Sequence, residues 1–233
     1  MATQKKASSL LLKPSGVLNW ARQNLPRLDD TRREVLRLAL NPPRVSLGPI
    51  NRICAQLAEK KVDLAKALEN TAHYKGYLKM AAEEVLPPFA EYLESFQIET
   101  TDAFAEERFP FPIGELPNGE TSYLRIEPTF YALEGERVIP TFLLAWTKVP
   151  FSTYQKELIS SIIYRAVMTR QGFIGSDGRV LTFQRDKWSN ARVRGGWSIS
   201  QYASLTDEDL QKQFDRYNRA VREVVEILDS GSE

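Results

Sequence analysis

One stretch, RFPFPIGELPNGETS at residues 108–122, divides the chain into two parts with different periodicities. Its prolines and glycines interrupt helices and strand ladders alike, so it marks a boundary. Before it, apolar residues recur at helical spacing. After it come short apolar runs of strand character, mixed with amphipathic segments. This order predicts an α+β chain: an N-terminal helical region, then a small mixed β-sheet flanked by helices. The expected divisions are a flexible arm at 1–13, a helical region at 14–107, an α+β core at 108–229 and a tail at 230–233.

Within the helical region, Pro14 and Ser15 are placed to start a helix through Val17, Leu18, Trp20 and Ala21. Asp29 or Asp30 caps another through Val35, Leu36, Leu38 and Leu40, ended by Pro42 and Pro43. The longest periodic segment follows, with Ile50, Ile53, Leu57, Leu64, Leu68, Leu78 and Val85 on one stripe. Pro49 suits its first turn, and Pro87 and Pro88 would stop it, which predicts a long helix at 49–86. Unbroken, such a helix is roughly 54 Å long. It must pack along its own domain or meet a protein partner or second copy. Asn70, Thr71, His73 and Gly76 are poorer helix formers and mark where it would bend.

In the second part, residues 123–133 and 138–148 read as two strands joined by the turn Glu134, Gly135, Glu136. The second, VIPTFLLAWTK, is apolar on both faces and suits a central strand. Pro128 and Pro140 each remove a ladder donor, predicting an irregularity at both places. Ser152 with Gln155 forms a capping box that opens a helix through Leu158, Ile159, Ile162 and Ile163. A strand at 179–185 follows, so the helix reads as a crossover connection. Thr206 with Asp209 opens the last helix.

Composition removes several classes of function. At 233 residues, 42% of them hydrophobic and 26% charged, the chain has the balance of one soluble domain. Its apolar runs are too short to cross a bilayer. The leucines of MATQKKASSLLLKPSG fall short of a signal-peptide apolar region, so a cytoplasmic protein without membrane partners is expected. The single cysteine, Cys54, excludes an internal disulfide and a cysteine zinc site, and its place on the apolar stripe predicts a buried thiol. The single histidine, His73, excludes a two-histidine metal site and has no nucleophile-elbow motif near it. Neither a P-loop nor a dinucleotide fingerprint is present. What remains is carboxylate and lysine chemistry around a hydrated divalent ion.

The element order, a helical segment followed by a strand meander, a crossover helix, a strand and a final helix, resembles the PD-(D/E)XK nuclease-like superfamily. The resemblance covers residues 103–228 and implies a restriction-endonuclease-like core. It places Glu83, Glu84 or Glu91 at the family's helical acid. In that family, an acid on one strand and an acid-x-lysine on the next hold the metal and activate water. The corresponding stretches here are RIEPTFYAL at 125–133 and TFLLAWTK at 141–148. Thr129 stands where the first acid would follow the proline, which leaves Glu127, and the second strand offers only Lys148. The resemblance therefore nominates Glu127, Lys148 and Glu84 as catalytic candidates and Glu127 as the metal ligand. Mg2+ is expected only for an active nuclease. The chain's acid-x-lysine, Glu59, Lys60, Lys61, lies in the long helix. With these acids missing, cleavage is expected to be lost, leaving a binding or accessory module.

A net charge of +1 gives the whole molecule no strong field, so nucleic-acid contact must come from local patches. RDKWSNARVRGGW, residues 185–197, is the densest. Alternation puts Arg192 and Arg194 on one strand face, and a hairpin would bring them to Arg185 and Lys187, either as a solvated charged surface or for phosphate contact. Trp188 would offer a stacking face for an unpaired base. Arg216, Arg219 and Arg222 form a further row on the last helix, among acids that could pair with them.

Overall fold

The computed structural model describes residues 11, 15–42, 46–115, 119–148, 151–189 and 191–230. Pro14, Pro43, Pro117 and Asn190, the arm apart from Leu11, and the tail beyond Ser230 lie outside these residues. The chain is an α+β protein, as expected. The short strand β1 (Ser15–Gly16) leads into α1 (Val17–Gln23) and α2 (Leu28–Leu40), then α3 (Gly48–Ala58), α4 (Leu64–Thr71) and α5 (Gly76–Ser95). Strands β2 (Glu99–Thr101), β3 (Phe109–Glu115), β4 (Thr121–Ile126), β5 (Phe130–Glu134) and β6 (Arg137–Leu144) precede α6 (Thr153–Ile163). The chain continues through β7 (Arg179–Arg185) and β8 (Arg192–Ser198) to α7 (Asp207–Ser230).

The strands form two sheets, a three-stranded one in the order β1, β4, β3 and a five-stranded one in the order β2, β5, β6, β7, β8. In the larger sheet only β6 and β7 run parallel, joined by α6, so the crossover connection is present. The expected capping box opens α6: the Gln155 N–H donates to Ser152 Oγ at 3.3 Å and the Ser152 N–H to Gln155 Oε1 at 3.1 Å. Strand β6 is central, and both its faces are covered. Phe142 and Leu144 meet one core with α1, α2, α6 and α7, while Ile139 and Leu143 meet another with α3, α4 and α5. The same alternation divides Tyr131 from Phe130 and Val180 from Leu181, so one sheet separates two cores.

The single long helix expected at 49–86 is instead three helices. Lys60, at a left-handed φ of 54°, turns the chain out of α3. Asp63 then caps α4, its carboxylate accepting the Lys66 N–H at 2.7 Å. Gly76, at φ 55°, precedes the regular part of α5. At the other end, Pro87 and Pro88 lie inside α5 rather than closing it. Val85, Leu86, Phe89 and Ala90 are all buried around them, and that packing carries the helix through. Of the two expected uses of the apolar stripe, packing along its own domain is the one seen: it covers the chain's own sheet, with Ile50, Cys54 and Val85 fully buried.

Two strand expectations also change. Residues 123–133 are not one strand but two, β4 and β5, lying in different sheets and separated at Glu127, Pro128 and Thr129. Pro140 keeps regular register opposite Tyr131. The irregularity falls at Thr129, whose N–H donates to Thr141 O at 2.7 Å and whose hydroxyl accepts the Leu143 N–H at 2.9 Å. The first part of the proline-rich boundary, Phe109–Glu115, is itself a strand, β3. As an edge strand, it tolerates Pro110 and Pro112 without their N–H groups.

Candidate functional site

The hairpin of β7 and β8 forms as the sequence suggests, with Arg185 directly opposite Arg192. Both guanidinium groups turn onto one carboxylate, Glu84 of α5. Arg185 Nε lies 3.1 Å from Glu84 Oε2 and its Nη2 bonds Oε1, while Arg192 Nε lies 2.9 Å from Oε2. The Arg192 side chain is only 1% exposed, and its Nη1 donates to Phe183 O at 2.9 Å. Burial alone would push the Glu84 carboxyl up, but hydrogen bonds and charge from the two arginines outweigh it and hold the group below the usual carboxylate range.

This corrects two expectations at once. Arg192 is a buried structural cation, and Glu84, proposed as a helical acid, is occupied by two arginines instead of facing a metal. Arg194 shares the strand face of Arg192, as alternation requires, but lies over the rings of Phe96, at 4.2 Å, and Tyr92, at 5.6 Å. Lys187 and Trp188 remain at the hairpin tip, where Trp188 is 94% exposed. Asp186 holds that tip, accepting from the N–H groups of Trp188 at 2.9 Å and Ser189 at 2.8 Å.

The row on α7 is also engaged internally. Arg216 donates to Pro26 O at 2.8 Å and Asn24 Oδ1 at 2.9 Å, and Arg219 pairs with Glu223 at 2.9 Å. Arg222 is exposed. On α5, Glu83 pairs with Lys79 at 3.8 Å, and Glu91 is exposed. His73 is an exposed residue against the edge of Tyr74, and burial pushes the Cys54 thiol far above its ordinary range.

A different place gathers free cations. Where β6 ends, residues 142–148 line a cleft of about 810 Å³ with parts of α1, α3 and the end of β4. Arg22, Arg125 and Lys148 all line it, together with Glu127. Of these, Arg125, Glu127 and Lys148 are exposed, and none makes an ion pair within 4 Å among the described residues. Arg22 lies 5.5 Å from the centroid of the Trp146 ring, which also packs against Phe151. Tyr77, 37% exposed, lines the same cleft, as do Asn19 and Asn51.

Glu127 and Lys148 therefore line the same cleft, but their surroundings are cationic and amide-lined. Among the described residues, no group of three or more His, Cys, Asp or Glu side chains could hold a metal ion. A single carboxylate among three cations does not suit Mg2+, which wants several hard oxygen ligands. Sequence reasoning missed Arg22, Arg125 and Trp146. Strand alternation with buried Leu124 and Ile126 could have turned Arg125 outward. The placing of Arg22 and Lys148, far apart in the chain, on one cleft had no local signal.

Compared with protein-family models, curated proteins and solved structures, the chain matches none. Among the described residues, no helix is long and apolar enough to cross a membrane.

Proposed function

We propose that the protein is a nucleic-acid-binding module that holds a phosphodiester strand in the cleft at the end of β6 without cleaving it. The observation that carries this reading is that Arg22, Arg125 and Lys148 line one cleft in which, among the described residues, Glu127 is the one acid. Unpaired cations on a concave surface attract phosphates, and each contact releases counterions. The element order lends further support. A helix, an antiparallel run of β2, β5 and β6, a crossover helix and a parallel strand is the arrangement implied by the PD-(D/E)XK resemblance. With Thr129 in place of the first acid and Glu84 bound by two arginines, this reading takes the arrangement as a scaffold for holding, not cutting.

The test is fluorescence anisotropy with labelled oligonucleotides, single-stranded and duplex, at two salt concentrations. Binding to at least one form should weaken steeply with salt, and Arg125→Ala with Lys148→Ala should weaken it about tenfold or more while the fold is kept. Glu127→Ala should not weaken binding. Cleavage in magnesium or manganese that disappears in Glu127→Ala would overturn the non-cleaving reading. Absence of binding at low salt would overturn the function altogether.

A further inference from the structure

The shape of the cleft carries the reading further. Duplex DNA is read by convex elements that enter a major groove about 12 Å wide, such as a helix or a two-stranded ribbon. The ribbon formed by β7 and β8 has turned Arg185 and Arg192 onto Glu84 and set Arg194 on Phe96 and Tyr92. The free cations instead line a recess. Its volume of about 810 Å³ lies within the roughly 300–1,000 Å³ of pockets that enclose small ligands. Phosphates of an unpaired strand can reach such a recess together with their bases, whereas a duplex keeps its bases stacked and its width outside.

The aromatic part of the lining calls for a base as well as a phosphate. Tyr77 is 37% exposed, and the Arg22 guanidinium lies beside Trp146, so flat surfaces stand among the cations. Such surfaces stack unpaired bases of any sequence.

We infer that the cleft takes an unpaired segment of nucleic acid, with phosphates on Arg125 and Lys148 and a base on Tyr77, in preference to a duplex. This inference rests on the nucleic-acid reading above. It is tested by anisotropy with one labelled oligonucleotide presented as a single strand, a blunt duplex, a duplex with a single-stranded tail, and a single strand carrying abasic units. The single strand and the tailed duplex should bind about tenfold more tightly than the blunt duplex, and abasic units should remove that advantage. Tyr77→Ala should weaken single-strand binding about fivefold and leave its salt slope unchanged. Arg125→Ala with Lys148→Ala should reduce the slope by about 0.7 per lost contact. All three side chains are at the surface, and circular dichroism will verify that the variants stay folded. Equal affinity for single strand and blunt duplex, both lost in the double variant, would overturn this inference and leave the nucleic-acid reading standing. Failure of every form to bind at low salt would overturn both. A single-strand preference that survives both the Tyr77 and the double variant would place the strand elsewhere and remove the cleft from the account.

Discussion

Glu84 satisfies two guanidinium groups, and one of them has no route to water. Arg192 keeps carbonyl oxygens around it, but its Nη2 is already buried without a partner, so loss of Glu84 would leave a charge with little compensation. Removing one partner of a buried pair costs far more than the pair itself contributes. Glu84→Ala should therefore destabilise the protein by about 3 kcal/mol in urea denaturation. Arg185→Ala, which removes a more exposed partner, should lower the urea midpoint less than Glu84→Ala does. The pH dependence has a fixed sign. Glu84 has a folded value below its unfolded value near 4.3, so its stabilisation is present above that pH and fades as pH falls through the folded value. Asp186, held down by the Ser189 and Trp188 N–H groups, and Glu223, held down by Arg219 and Arg32, fade in the same direction. The diagnostic is hence a difference: melting temperature measured from neutral pH to pH 3 should fall less steeply in Glu84→Gln than in the parent protein. An unchanged difference across that range would refute the assignment. Alternation alone put Arg192 and Arg194 on one face. It could not reveal the carboxylate opposite, which lies 108 positions away in the sequence.

Helix α5 shows how packing overrides a local rule. Proline inside a helix removes an N–H, so Pro87 and Pro88 leave the Glu83 and Glu84 carbonyls without their helical donors. Sequence rules end a helix there, but four buried apolar residues around the prolines hold it to the sheet. Pro87 is exposed, and replacing it need not disturb that packing. Pro87→Ala should stabilise the protein by about 1 kcal/mol or more, read as a raised urea midpoint with an unchanged slope. The breaks upstream were partly legible. Gly76 and its neighbours were weak helix formers, and the chain does leave the helix there. The break after Ala58 lies in a lysine-rich run with good helix propensity, and its only local sign was Asp63, an N-cap residue where no helix start was sought. The capping boxes at Ser152 and Thr206 were readable because both partners lie three residues apart.

At the scale of the whole molecule, the five-stranded sheet is common to both cores. Phe142 faces one and Phe183 the other, both from strands that pair through β6 and β7. Neither core can lose the sheet and keep its own packing, so the protein should unfold in one cooperative step. The tryptophans make this testable. Trp20 and Trp197 lie in the first core, with Trp146 packed against it, and Trp188 is exposed, whereas helices α3, α4 and α5 cover the second. Tryptophan fluorescence thus reports one side, and far-ultraviolet circular dichroism reports the helices of both. Their urea transitions should coincide, and should move together by about 3–5 kcal/mol in Phe183→Ala, a substitution in the core without tryptophan. Separate transitions would mean that the second core unfolds independently.

Sequence by itself determined the α+β class, the strand alternation, the central place of β6, the crossover helix and the capping boxes. These follow from periodicity and from contacts a few residues apart. It also removed an internal disulfide, a cysteine zinc site and a two-histidine metal site, because the chain has one cysteine and one histidine. Tertiary structure alone decided which charges are free. Glu84 pairs with both Arg185 and Arg192 across α5 and the hairpin, while Arg22 and Arg125 are carried to one cleft by α1 and β4, and Lys148 by the segment after β6. Charge availability depends on what stands within about 4 Å, and the carboxylate that occupies Arg185 and Arg192 comes from a distant part of the chain.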